Sequence, residues 1–108
     1  MMKKGMIKVS VLYPNGDDKS FDMDYYCQKH VPLVAKLLGD AVKGATVEKG
    51  LGGATPDTPA PYAAMGNIYF KSIKEYEKAF GPNTEEIMGD IPNFTDIIPV
   101  IQVSKVEM

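Results

Sequence analysis

Cysteine and histidine are nearly missing from this chain, with one of each in 108 residues. A single cysteine excludes an internal disulfide. One cysteine and one histidine do not make a His/Cys zinc site within one chain, so no bound metal is expected. No apolar run reaches 18 residues, which excludes a transmembrane helix of the usual kind. Met1-Met2-Lys3-Lys4 resembles the basic start of a signal peptide. The following Gly5 to Ser10 alternates and carries Lys8, so no apolar segment follows and the cytoplasm is the expected location. There is also no surplus of positive charge. The net charge is −2 with a pI near 5.3, and the lysines are scattered apart from Lys3-Lys4. A nucleic-acid partner would need a basic face, so none is expected. No internal repeat of useful length is visible.

What is present describes one ordinary domain spanning residues 1–108. Hydrophobic residues make up 44% and charged residues 24%, which excludes a disordered or collagen-like chain. A chain of this length buries roughly 60–65% of its unfolded surface and needs no staples. Residues 1–5 are expected to be a flexible N-terminus.

Met6 to Tyr13 alternates, with Ile7, Val9, Val11 and Tyr13 on one face, and predicts a half-buried strand. Pro14 to Asp18 is a turn. Asp22 then reads as the N-cap of a helix with Asp24 in its first turn. Met23, Tyr26, Cys27, His30, Val34, Leu37 and Leu38 form one apolar stripe, and Gly39 ends the helix. Pro32 deprives the Gln28 carbonyl of its partner and predicts a kink. Ala41 to Lys49 reads as a second strand. Residues 50–61 form a Gly/Pro-rich loop, long for a small domain and so either mobile or functional. Tyr62 to Phe70 is a third strand. Ser72 to Glu75 is a capping box that opens a second helix, with Ile73, Tyr76, Ala79 and Phe80 as its buried face. Gly81-Pro82 breaks it, a short helical piece follows over Asn83 to Met88, and Ile98 to Val106 is the last strand.

The order β-α-β-β-α-β is the split arrangement of ferredoxin-like α+β folds, with a four-stranded antiparallel sheet carrying both helices on one face. Strand three carries apolar side chains on both faces. A sheet apolar on both sides but covered on one predicts a homodimer closing over the open face.

Four segments together carry a resemblance. They are Phe21-Asp22-Met23-Asp24-Tyr25-Tyr26, His30-Val31-Pro32-Leu33-Val34, Pro61-Tyr62-Ala63-Ala64-Met65-Gly66, and Ile87-Met88-Gly89-Asp90-Ile91-Pro92-Asn93-Phe94-Thr95. In combination they resemble the EthD family, named for a protein of bacterial ethyl tert-butyl ether degradation. The resemblance runs from about Met6 to Val106. It implies a dimeric α+β barrel, in which two ferredoxin-like chains pair their sheets and each keeps a pocket between sheet and helices. Relatives with this barrel include cofactor-free monooxygenases, isomerases, decarboxylases and some haem enzymes. The resemblance therefore implies a pocket and a dimer rather than a reaction.

His30 is the one residue able to move a proton near neutral pH from a helix face turned to the interior; its plainer role is a satisfied core histidine. Tyr26 lies one turn before it and is in reach. Tyr62 and Tyr69 differ in parity, so one is expected in the pocket and the other on the dimer side. Tyr25 reads as ordinary amphipathic packing with its hydroxyl in solvent. Phe80 and Phe94 are expected to line the pocket. Asp90 and Asn93 are candidates to touch substrate, and Asp90 or Asp96 to orient His30. For Asp96 and Thr95, turn and cap chemistry is the favoured role. Cys27 reads as a small core residue.

Two functions follow. One is a protein that degrades or modifies a small, mostly apolar organic compound with His30 as general acid or base. It would be a cofactor-independent oxygenase, isomerase, dehydratase or decarboxylase, since no cofactor motif is visible. The other is a non-catalytic carrier, or an accessory dimer partnered with a catabolic oxygenase system. A haem protein with His30 as iron ligand ranks third.

Overall fold

The computed structural model describes residues 3–108. Strand β1 (Ile7–Pro14) lies at the centre of the sheet. It pairs antiparallel with β3 (Tyr62–Phe70) on one side and β4 (Val100–Lys105) on the other. Strand β2 (Gly44–Lys49) pairs antiparallel with β3. The order β2-β3-β1-β4 is the ferredoxin-like topology. At the other end of β1, the Gly5 amide bonds the Val106 carbonyl at 2.7 Å. Met1 and Met2, part of the N-terminus expected to be flexible, lie outside the described residues.

Helix α1 is continuous from Met23 to Leu38 but not uniform. It begins with the short α-turn Met23–Tyr25, widens into a π-helical turn Tyr26–His30, and continues as the α-helix Val31–Leu38. The Asp22 carboxylate accepts the Tyr25 amide at 3.0 Å, as its N-cap role requires. Gly39 closes the helix with φ of +59°, which glycine adopts without a Cβ penalty. The π-turn stands where Pro32 predicts a kink. The Val31 amide reaches back five residues to Tyr26, and Pro32, with no amide to offer, sits in the first turn beyond.

Helix α2 (Ile73–Phe80) is capped by Ser72, whose hydroxyl accepts the Glu75 amide at 3.2 Å. None of its residues is fully buried, and Ile73, expected in the core, is half exposed. Tyr76, Ala79 and Phe80 do pack against the core. Helix α3 (Thr84–Asp90) follows a short 3-10 turn, Gly81–Asn83. The first strand after α1 begins three residues later than its pattern predicts, because Gly39–Ala41 forms a 3-10 turn. The last strand is shorter than expected, and Ile98 stands 86% exposed before it.

The helix-side face of the sheet carries Ile7, Val9 and Tyr13 from β1 and Ala64 and Phe70 from β3, all buried. Phe70, Val34, Leu38 and Ile87 centre one apolar cluster; Tyr13, Tyr26, Phe94 and Ile97 centre the other. The far face is mixed: Leu12, Met65 and Tyr69 lie on it, as the sequence reading expects, but a polar row crosses its middle. Gln102, Ser10, Asn67 and Thr46 align across all four strands in one row. Ser10 donates to Asn67 at 2.9 Å, and Asn67 donates to Thr46 at 3.2 Å and to Glu48 at 2.7 Å. Exposed apolar side chains also stand at the sheet edge, on Val100, Ile101 and Val103 of β4. Among the described residues, no helix is long and apolar enough to cross a membrane.

Candidate active site

The first helix is fastened to the segment after α3 by backbone pairing. The Asp22 amide bonds the Phe94 carbonyl at 2.8 Å, and Phe21 and Thr95 form an isolated antiparallel bridge. Thr95 reinforces it by donating to the Ser20 carbonyl, and Asp96 accepts the Ser20 amide. Thr95 and Asp96 thus do the turn chemistry their types predict. This seam brings the start of α1 against the end of α3, and with it His30 against Asp90.

The buried positions of α1 are Tyr26, His30, Val34 and Leu38, each four residues apart. In a regular α-helix that spacing drifts about 40° per step, or about 120° over the set. The π-turn absorbs one extra residue and holds all four on the core side. The widened turn also leaves Cys27, Gln28 and Lys29 exposed. Cys27 is therefore a surface residue, with its thiol 3.7 Å from the Met23 sulfur, and not a core one.

His30 is buried, its side chain 6% exposed, with the ring stacked 5.6 Å from Tyr26 at an interplanar angle of 17° and 4.7 Å from Phe94. Its Nδ1 lies 2.8 Å from Asp90 Oδ2. The other carboxylate oxygen, Oδ1, accepts the Tyr25 hydroxyl at 2.8 Å and the Asn93 amide at 2.9 Å. Asp90 is the last residue of α3, and the 3-10 turn Ile91–Asn93, opened by Pro92, brings Asn93 back over it. Burial alone would raise the Asp90 carboxyl. The hydrogen bonds from Asn93, His30 and Tyr25, with the attraction of the imidazole when charged, outweigh it and hold the group below its ordinary 3.8. An ionised carboxylate only accepts, so His30 Nδ1 carries a proton toward Asp90, and in the neutral imidazole Nε2 presents a lone pair. Nε2 has no hydrogen-bond partner among the described residues. No fully buried side-chain nitrogen or oxygen among them lacks one, so Nε2 keeps accessible surface.

His30 lines a cavity of about 70 Å³ between sheet and helices. Its walls are Val9, Val11 and Tyr13 of β1, Tyr26 and Val34 of α1, Phe70 of β3, and Tyr76 and Phe80 of α2. No lysine, aspartate or glutamate lines it, and the chain contains no arginine. Burial pushes the Tyr26 hydroxyl up to about 12, with a partly opposing hydrogen bond from Tyr13. Burial raises Tyr13 further still. Both hydroxyls remain neutral donors at any working pH. The volume is far too small for a porphyrin, so the residues present do not fit a haem. Among the described residues no cluster of three or more His, Cys, Asp or Glu could hold a metal ion.

The structure brings Tyr26, His30 and Phe80 together at the cavity, with Phe94 and Asp90 packed against His30 from behind. Asn93 holds Asp90 and does not line the cavity. Tyr62 and Tyr69 are not among the lining residues either. Tyr69 pairs with Lys8 and Gly44 and shares their far face of the sheet. An irregularity between Tyr13 and Pro14 sets Tyr62 opposite Pro14, which undoes the parity argument for it. Tyr25, read from sequence as ordinary packing, belongs to the site. So does Gly66, where a Cβ would stand 2.1 Å from the Tyr26 hydroxyl. The signal for Gly66 is a glycine inside a strand pattern, which marks close approach by another group. Gly66→Ala should push the Tyr26 ring off its seat beside His30 and cost about 1–3 kcal/mol. Urea unfolding measures the loss, and the ring-current shift of the His30 resonances reports the displacement.

A ferredoxin-like α+β domain with a histidine–carboxylate pair opening on an apolar cavity is the class that fold and site define. The EthD domain model matches residues 15–98. An EthD-like protein from Ralstonia eutropha JMP134 is 43% identical, with a TM-score of 0.89 over 95% of this chain and 93% of that one. An uncharacterised 11.0 kDa protein from the thcB–thcC intergenic region of Rhodococcus erythropolis is 30% identical over 90 residues, 82% of this chain and 84% of that one. An EthD family protein from Bacillus halodurans C-125 shares the fold at 17% identity, with a TM-score of 0.65 over 95% of this chain and 99% of that one. The chain belongs to the EthD family.

Proposed function

We propose that the cavity binds a small, uncharged organic molecule and that His30 Nε2 takes a proton from it, in the degradation or modification of that compound. The observation that carries this reading is the division of labour on one imidazole. Nδ1 is tied to Asp90 at 2.8 Å, while Nε2 is left without a partner beside the cavity. This is how a base is held in one tautomer by a third group. The walls offer no charged side chain to a carboxylate or phosphate, whereas the neutral Tyr26 hydroxyl, which accepts from Tyr13 and keeps its own proton to give, suits a carbonyl or hydroxyl oxygen. The substrate would carry an acidic O–H, or a C–H beside such an oxygen.

The cavity is smaller than the roughly 150 Å³ that accommodates benzene, so a larger ligand needs a wall to give. Helix α2, with no fully buried residue, is the wall least held by packing. The exposed apolar side chains of the edge strand β4 support a homodimer that covers them.

The experiment is an NMR titration of the single imidazole with small ketones, phenols and ethers. Binding should move the His30 signals, because the ring lines the cavity. An imidazole that ignores every compound removes His30 from the binding site.

A further inference from the structure

Asp90 is held by more than its histidine, and the extra contacts converge on the oxygen that the histidine does not use. Oδ2 faces His30 alone among these contacts, while Oδ1 takes both the Tyr25 hydroxyl and the Asn93 amide. A carboxylate bonded on one oxygen can rotate about its Cβ–Cγ bond and trade partners with solvent. Bonded on both, it is fixed in plane. Tyr25 and Asn93 approach from separate elements, the first turn of α1 and the 3-10 turn after α3. Tyr25 is itself steadied by stacking on Phe94 at 6.1 Å and by the Lys29 ammonium 5.7 Å above its ring.

We infer that Tyr25 and Asn93 are positioning residues that lock the Asp90 carboxylate, and through it keep His30 in the Nδ1–H tautomer with Nε2 free. This rests on the reading of His30 as the base. The two donors back each other up, so either alone suffices to hold Oδ1. A free neutral imidazole prefers its proton on Nε2, so a loosened Asp90 releases that form.

The test is the nitrogen–proton correlation spectrum of the only imidazole, in the untagged protein at a pH where it is neutral. Wild type should show a single Nδ1–H tautomer. Tyr25→Phe and Asn93→Ala should each keep it, and the double variant should lose the single-tautomer spectrum for a mixture containing Nε2–H. A folded double variant that remains wholly Nδ1–H overturns the inference and leaves the base reading standing. Nε2–H in wild type overturns the base reading and this inference with it. If the double variant fails to fold, the single variants decide by titration of the Asp90 carboxyl. Each removes a hydrogen bond to the ionised form and should raise its pKa. An unmoved carboxyl in both overturns the lock.

Discussion

His30→Ala should abolish turnover of the compound that the imidazole titration identifies, by about 10²–10⁴-fold, while leaving its affinity within a few-fold of wild type. The expectation follows from where the ring sits. Most of the cavity wall is Val9, Val11, Val34, Phe70, Tyr76 and Phe80, and the rings packed against the imidazole are others, Tyr26 and Phe94. The removed ring leaves Asp90 ionised and still bonded by Tyr25 and Asn93, so the fold should survive. Stopped assays of product with equilibrium binding on the same variant separate the two quantities. A protein that carries its ligand without transforming it would show the opposite pattern, with affinity lost and no turnover to lose.

Asp90→Ala should have the largest effect on stability, about 2–4 kcal/mol at neutral pH. It strips the partner from a buried imidazole, from a partly buried tyrosine hydroxyl and from the Asn93 amide at once. The penalty should depend on pH. The Asp90 carboxyl is held below its ordinary 3.8 in the folded protein. Its contribution is therefore fully present above that value and is lost as pH falls through the lower folded one. Wild type and variant should converge in acid. Urea unfolding at neutral pH and again well below pH 3.8 measures both. A difference that is the same at both pH values would mean that packing, and not the ionised carboxylate, carries the loss.

Much of the scaffold is legible in the sequence because it obeys local rules. The alternation of Ile7 to Tyr13 is a strand because period two puts four large side chains on one face. Asp22 and Ser72 announce helix starts because their side chains satisfy amides a few residues ahead. His30 stands out as the one histidine on a core-facing stripe. The rest of the site is not written locally. Tyr25 and Asp90 are 65 positions apart, and nothing in either neighbourhood says that a pairing of Phe21 with Thr95 brings them together. Tyr62 fails for a different reason. Parity counts faces correctly only in an uninterrupted ladder, and this one slips at Tyr13/Pro14. The far face of the sheet is only partly legible, because composition cannot show that Ser10, Asn67 and Thr46 fall in one register and satisfy each other between its apolar positions.

The π-turn in α1 can also be seen as a matter of chain length. It holds one residue more than a regular helix needs between the same flanking turns. Cys27, Gln28 and Lys29 face solvent, and removing any one of them takes away no buried side chain. The turn can therefore lose that residue and close to regular pitch with its flanking turns in place, leaving Tyr26 and His30 three apart and still neighbours on one face. Length in this one stretch is a dimension in which the chain has slack: a one-residue deletion here should be tolerated by the fold, whereas the same deletion elsewhere in α1 would turn one half of the helix by about 100° against the other.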